Sequence, residues 1–165
     1  MGRIHFASAM TLLGRNDGDS FKDGASYLEL AEFIMQNGDS NSVITDLKEL
    51  WRRIVFNICI KNTDDHLRNH GFLLGKNGWQ LSPAFDINPN PTGTGLTLNI
   101  SENDNSLNLE LALEVATYFR INNLDAKEII TKVQKNVRNW NKVASKYRIP
   151  KIQQELMAAA FERSG

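Results

Sequence analysis

Apolar residues recur along this chain at two spacings, and the change between them separates a helical body from a small strand-bearing centre. From Val43 to Lys61 the positions Val43, Leu47, Leu50, Trp51, Ile54, Val55 and Ile58 fall three and four residues apart, which predicts one long helix with a buried stripe. An earlier helix starts at Ser26, where Glu29 completes a capping box; it turns Leu28, Ala31, Ile34 and Met35 inward and stops at Asn37-Gly38. A short helix over Phe6 to Leu13, ended by Gly14, precedes it. Further on, Asn108 is placed to cap a helix over Leu109 to Arg120, with Ala112, Val115, Ala116 and Phe119 inside. Asn123 is placed to cap a longer helix reaching about Tyr147 on a stripe of Ile129, Ile130, Val133, Val137, Trp140, Val143 and Ala144. Pro150 opens a last helix whose Ile152, Leu156, Ala160 and Phe161 close the core.

In the centre the pattern shortens. Phe72-Leu73-Leu74-Gly75 and Trp79-Gln80-Leu81 are two brief apolar strands around Lys76-Asn77-Gly78, whose Asn-Gly pair is a strong hairpin signal. A hairpin folds Ser82 to Asn88 back on the segment before it, which sets Asp86 near Asp64, Asp65 and Asn69. Leu96 to Ile100 is a further short strand candidate. Gly14 to Gly24, rich in Gly and Asp, reads as a mobile surface loop, because the residue order of a calcium loop is missing. Asn88 to Gly95, with two prolines and two glycines, resists regular structure and is expected to lie flexibly beside the site.

The densest chemistry lies between the long helix and the first strand, in Asn62-Thr63-Asp64-Asp65-His66-Leu67-Arg68-Asn69-His70-Gly71. Asp64 and Asn69 stand in the order D-x-x-x-x-N, which in protein kinase loops puts a base and a metal-binding carboxamide on one loop. Mg²⁺ takes hard oxygen donors and fills its octahedron with water and phosphate oxygens, so Asp86 and Asn69 suffice as protein ligands. Asp64 is then free to accept a proton from an attacking hydroxyl. Asp65 lacks the five-residue spacing to Asn69 and takes a supporting part; His66 is expected to anchor the loop through an imidazole bond to backbone. A turn whose Asp and Asn merely cap backbone groups is the blander alternative.

These residues, with the hairpin and Leu81-Ser82-Pro83-Ala84-Phe85-Asp86-Ile87, resemble the C-terminal lobe of HipA-like serine/threonine kinases, the toxins of bacterial toxin-antitoxin pairs. The loop is also similar to the D-x-H-x-x-N loop of phosphoinositide-3-kinase-like enzymes. The resemblance runs over nearly the whole chain, with supporting matches at Phe6 to Gly14 and Leu111 to Ala116. It implies a mainly α, kinase C-lobe-like bundle with one small antiparallel hairpin. It further implies Asp64 as catalytic base, Asn69 and Asp86 as Mg²⁺ ligands, and His66 beside them on the ATP side. Such kinases also carry an N-terminal lobe with a phosphate-covering loop and a nucleotide-contacting Lys. Neither is found here, and Met1-Gly2-Arg3 falls about where the C-terminal lobe begins. The expectation is one domain over residues 1–165, completed by a lobe or subunit from elsewhere and paired with an antitoxin. Two other functions stay open: a non-catalytic lobe that binds a partner, and a Mg²⁺-dependent phosphohydrolase or nuclease using the same carboxylates.

Composition removes several classes. Nineteen Lys and Arg balance nineteen Asp and Glu, so no overall basic field argues for direct contact with nucleic acid. No run is apolar enough to span a membrane and no secretory leader pattern is present, which makes the cytoplasm the default. Cys59 is the only cysteine and sits on the apolar stripe, as a buried small hydrophobe does. Lys132, Lys135, Arg138, Lys142 and Lys146 give the longer C-terminal helix a basic outer side, which reads as a solvated face, with docking of an acidic partner as the alternative. Arg52 and Arg53 are expected on the wet side of the long central helix.

Overall fold

A computed structural model describes residues 3–164, with side chains through Glu162. Met1 and Gly2, where the kinase-lobe resemblance begins, lie outside the described residues. The architecture is mostly helical with a small three-stranded antiparallel sheet. In chain order it comprises β1 (His5–Ser8), α1 (Ala9–Leu12), α2 (Tyr27–Asn37), α3 (Val43–Ile60), β2 (Gly71–Leu74), β3 (Trp79–Leu81), α4 (Leu109–Glu114), α5 (Asn123–Val137), α6 (Trp140–Lys146) and α7 (Lys151–Met157).

α3 is the central column. Leu47, Leu50, Trp51, Ile54, Val55, Ile58 and Cys59 are buried along it, against α2, α4, α5 and a 3₁₀ segment over Ala158–Ser164. Burying a large side chain of this kind contributes on the order of 1.5–3 kcal/mol. Trp51 also satisfies its ring N–H, which donates to the Ala112 carbonyl at 2.8 Å and ties α3 to α4. Burial pushes the Cys59 thiol up to about 11, so it remains a neutral core residue.

The hairpin forms as the Asn-Gly signal predicts, with Phe72 opposite Leu81 and Leu74 opposite Trp79. Gly78 has φ +136°, and a Cβ there would come within 2.8 Å of the Asn37 and Asp39 backbone, so the turn is moulded onto the α2–α3 connection. β3 is fastened there too: Asp39 N–H donates to the Trp79 carbonyl at 2.9 Å, and Leu81 N–H donates to the Asp46 carboxylate at 3.1 Å.

The structure departs from the sequence pattern in several places. The first half of the expected Phe6–Leu13 helix is β1, drawn out by pairing Phe6 with Leu73 and Ala7 with Phe72. Only Ala9–Leu12 is helical. The expected Asn123–Tyr147 helix breaks after Val137 and restarts at Trp140, and its cap is Asn122, whose side chain accepts from Asp125 N–H at 2.9 Å. The helix expected over Leu109–Arg120 gives way to a 3₁₀ turn over Ala116–Phe119, with Arg120 left-handed at φ 57°. Leu96 to Ile100 forms one isolated bridge, Asn99 to Ser26, in place of a strand, and Gly95 just before it bridges Ser106. Val143, Ile152 and Leu156 were expected inside and are exposed. Arg53 was expected in water and is buried. Its guanidinium donates to Glu49 at 3.0 Å and to the Ser82 carbonyl at 2.6 Å, joining α3 to the end of the hairpin.

Candidate active site

α3 ends at Lys61, whose left-handed φ of 50° turns the chain sharply into the polar loop. The loop is built on one buried carboxylate. Asp65 Oδ2 accepts from the Tyr27 hydroxyl at 2.6 Å and from Asn57 Nδ2 at 2.6 Å, and lies 2.9 Å from His70 Nε2. Burial by itself would raise the Asp65 carboxyl. The His70 charge, the hydrogen bonds from His70 and Tyr27, and the Arg53 guanidinium outweigh it and hold the carboxyl below its usual range. Burial and the neighbouring Asp65 charge push the Tyr27 phenol well above its own range, so it stays a donor. Asn62, fully buried, donates to Asn57 Oδ1 at 3.0 Å and extends the network to the start of the loop.

Asp64, one residue earlier, has the opposite surroundings. It is exposed, and its carboxylate makes no hydrogen bond or ion pair among the described residues. Its main-chain carbonyl accepts from Asn69 Nδ2 at 3.1 Å. That bond fixes the buried Asn69 carboxamide by its nitrogen and leaves the carboxamide oxygen with no donor among the described residues. The Asn69 carboxamide oxygen is thus held in place without being consumed, and both oxygens of the Asp64 carboxylate stay free.

Asp64 and His66 line a cleft of about 220 Å³ with Met10, Asp17, Asp19 and Thr97. The Asp-rich loop forms its far wall and is not loose: Arg68 meets Asp17 at 2.8 Å, and Arg15 reaches Glu29 at 2.7 Å. The expected bond from the His66 imidazole to backbone is absent; its Nδ1 is buried without a partner. The anchoring task falls instead to His70.

Asp86 follows the hairpin as anticipated, and both flanks of its segment are pinned to the loop. Ser82 N–H donates to the Gly71 carbonyl at 2.9 Å, and Asn88 N–H donates to Asn62 Oδ1 at 3.4 Å. Gly71 makes the first junction possible, since a Cβ there would collide with the Phe6 ring. Asp86 is exposed and left-handed at φ 53°, a costly conformation for a residue with a side chain and one that clusters at functional sites. One carboxylate oxygen accepts from Asn88 Nδ2 at 2.8 Å; no bond joins Asp86 directly to Asn69 or Asp64. The irregular stretch after it lies beside the loop and is tied down: Asn90 Nδ2 donates to Thr63 Oγ1 at 2.8 Å, and a Cβ on Gly93 would collide with the Thr63 side chain.

Among the described residues no group of three His, Cys, Asp or Glu forms a metal cage. The donors present, one free carboxamide oxygen and carboxylates with oxygens to spare, suit a hard cation that keeps water and phosphate oxygens as its other ligands. Three contributors went unrecognised in the sequence: Tyr27, Asn57 and Arg53. Asn57 left a trace there, being a polar residue set among the apolar positions of α3.

A mostly helical bundle with a small three-stranded antiparallel sheet carries this loop and the acidic segment that the hairpin returns. The family model of the HipA-like C-terminal domain matches residues 2–140, and the chain belongs to that family. A Haemophilus influenzae protein named "Putative kinase" is 36% identical over 62 residues, which are 37% of this chain and 18% of that protein. HipA of a toxin-antitoxin system of Shewanella oneidensis MR-1, solved with HipB and its operator DNA, superposes with a TM-score of 0.73 at 12% identity. That match covers 98% of this chain and 42% of the other, so this chain spans about two fifths of the HipA chain. The neighbour was solved with DNA, so the expectation of no nucleic acid gains no support from it. Among the described residues no helix is long and apolar enough to cross a membrane.

Proposed function

We propose that this chain is the C-terminal catalytic lobe of a HipA-like protein serine/threonine kinase, the toxin partner of an antitoxin, with Mg²⁺-ATP as phosphoryl donor. The observation that carries this reading is the division of labour at Asp64 and Asp65. The buried carboxylate is engaged by Tyr27, Asn57 and His70, while its neighbour lines a cleft with both oxygens uncommitted. A merely structural Asx turn would engage the Asp64 side chain, and here only the Asp64 main chain is engaged.

In this reading Asp64 takes the proton of a protein Ser or Thr hydroxyl as the hydroxyl oxygen bonds to the γ-phosphorus and the bond to the ADP oxygen breaks. Asn69 and Asp86 would hold Mg²⁺, which when bound supplies the positive charge that offsets charge on the transferred group. His66, which lines the same cleft, would lie beside the nucleotide in this reading. The nucleotide-covering lobe comes from another part of a longer polypeptide or from a separate subunit.

The test is phosphotransfer from Mg²⁺-ATP by a protein joining this chain to such a lobe, with and without Asp64→Asn. Loss of about 10²–10⁴-fold in rate is expected. Undiminished transfer by the variant would remove Asp64 as the base. No nucleotide binding with or without the added lobe would favour a partner-binding module instead.

A further inference from the structure

Asp86 comes to the site from outside the catalytic loop, on an exposed residue whose left-handed backbone, φ 53°, gives it no burial to fix its carboxylate. The group that touches that carboxylate is Asn88. Asn88 uses its two kinds of donor in two directions: side-chain Nδ2 donates to Asp86 Oδ1 at 2.8 Å, and the main-chain N–H donates to Asn62 Oδ1 at 3.4 Å. Asn62 is fully buried and donates to Asn57 Oδ1 at 3.0 Å, and Asn57 Nδ2 donates to Asp65 Oδ2 at 2.6 Å. A file of hydrogen-bonded asparagines thus connects the buried carboxylate that pins the loop with the carboxylate on the returning segment.

Both ends of this file are carboxylates, which when ionised only accept. Asn57 and Asn62 donate toward Asp65, so one residue between Asn62 and Asp86 must donate both ways. Asn88 meets that requirement by pairing its main-chain N–H with its side-chain amide. Its bond occupies one oxygen of Asp86 and leaves the other with no donor among the described residues.

We infer that Asn88 is a positioning residue for the cation site: it holds one oxygen of Asp86 so that the other is presented to the metal. The inference rests on the proposed reading in which Asp86 and Asn69 hold Mg²⁺. A blander account is that Asn88 only stiffens its segment. Asn90 separates the two, because it ties the same segment to Thr63 Oγ1 at 2.8 Å and makes no bond to Asp86 among the described residues.

The experiment titrates the 165-residue chain with Mn²⁺ and records the concentration that half-broadens the Asn69 side-chain amide resonances. Asn88→Ala is expected to raise that concentration about three- to tenfold, as loss of a hydrogen bond to a charged group does. Asn88→Gln, which keeps a carboxamide within reach of Asp86, and Asn90→Ala should each stay within about twofold of wild type. The Asn88–Asp86 bond is exposed, so the urea midpoint of Asn88→Ala is expected to be unchanged. The inference is overturned if Asn88→Ala binds Mn²⁺ as wild type does, if Asn90→Ala weakens binding as much, or if Asn88→Gln fails to recover it. Asp86→Asn tells the two failures apart. If it abolishes broadening while Asn88→Ala has no effect, the positioning role alone falls. If broadening survives Asp86→Asn, or the wild type shows none, Asp86 is no ligand and both fall.

Discussion

Asp64 and Asp65 differ in nothing but their neighbours, and those neighbours assign them separate tasks. Asp65 is buried with three side chains directed at one of its oxygens, so Asp65→Asn puts an amide where an acceptor is required and is expected to destabilise the fold by about 2–4 kcal/mol in urea unfolding. Asp64→Asn breaks no side-chain bond and should leave stability within about 0.5 kcal/mol while removing phosphotransfer. The pair of outcomes is the informative quantity. If Asp64→Asn destabilises as much as Asp65→Asn, the exposed carboxylate has a structural role and the assignment of a base fails.

At the scale of elements, the hairpin brings the acidic segment back to the loop. Gly78→Ala forces a Cβ against the Asn37–Asp39 backbone at a φ few side chains adopt, and should cost about 1–3 kcal/mol by thermal or urea unfolding. In the proposed reading Asp86, on the segment returned by the hairpin, would share a cation with Asn69. Mn²⁺, added in place of Mg²⁺, is expected to broaden the Asn69 side-chain amide resonances, and Asp86→Asn should restore them; broadening that survives the substitution removes Asp86 from the metal site. Much of this was legible in the sequence, because the Asn-Gly turn, the α3 stripe and the D-x-x-x-x-N spacing are all local signals. β1 was not, since Phe6 and Ala7 become a strand only on meeting Leu73 and Phe72, far along the chain. Nor were Tyr27 and Asn57, whose part depends on helices α2 and α3 meeting over Asp65. Arg53 misled for a related reason: its partner, the Ser82 carbonyl, is on another element.

Across the whole molecule, the Asp65 network joins α2 through Tyr27, α3 through Asn57 and the start of β2 through His70, so one ionised carboxyl couples the helical body to the sheet. That coupling has a pH dependence of definite sign. An unfolded Asp titrates near about 3.9, and the folded Asp65 carboxyl lies below its usual range. The native state therefore binds this proton more weakly than the unfolded chain does. Its contribution to stability is complete above the unfolded value and disappears as pH falls through the folded one. Urea unfolding of the wild type and of Asp65→Asn should show a gap that is widest at neutral pH and narrows as the pH drops below about 4. A gap that stays constant through this range would mean that shape and hydrogen bonding, with no contribution from the charge, hold the loop to the body. The catalytic reading would then stand on a different footing, because Asp64 and Asn69 are positioned from the same backbone that Asp65 pins.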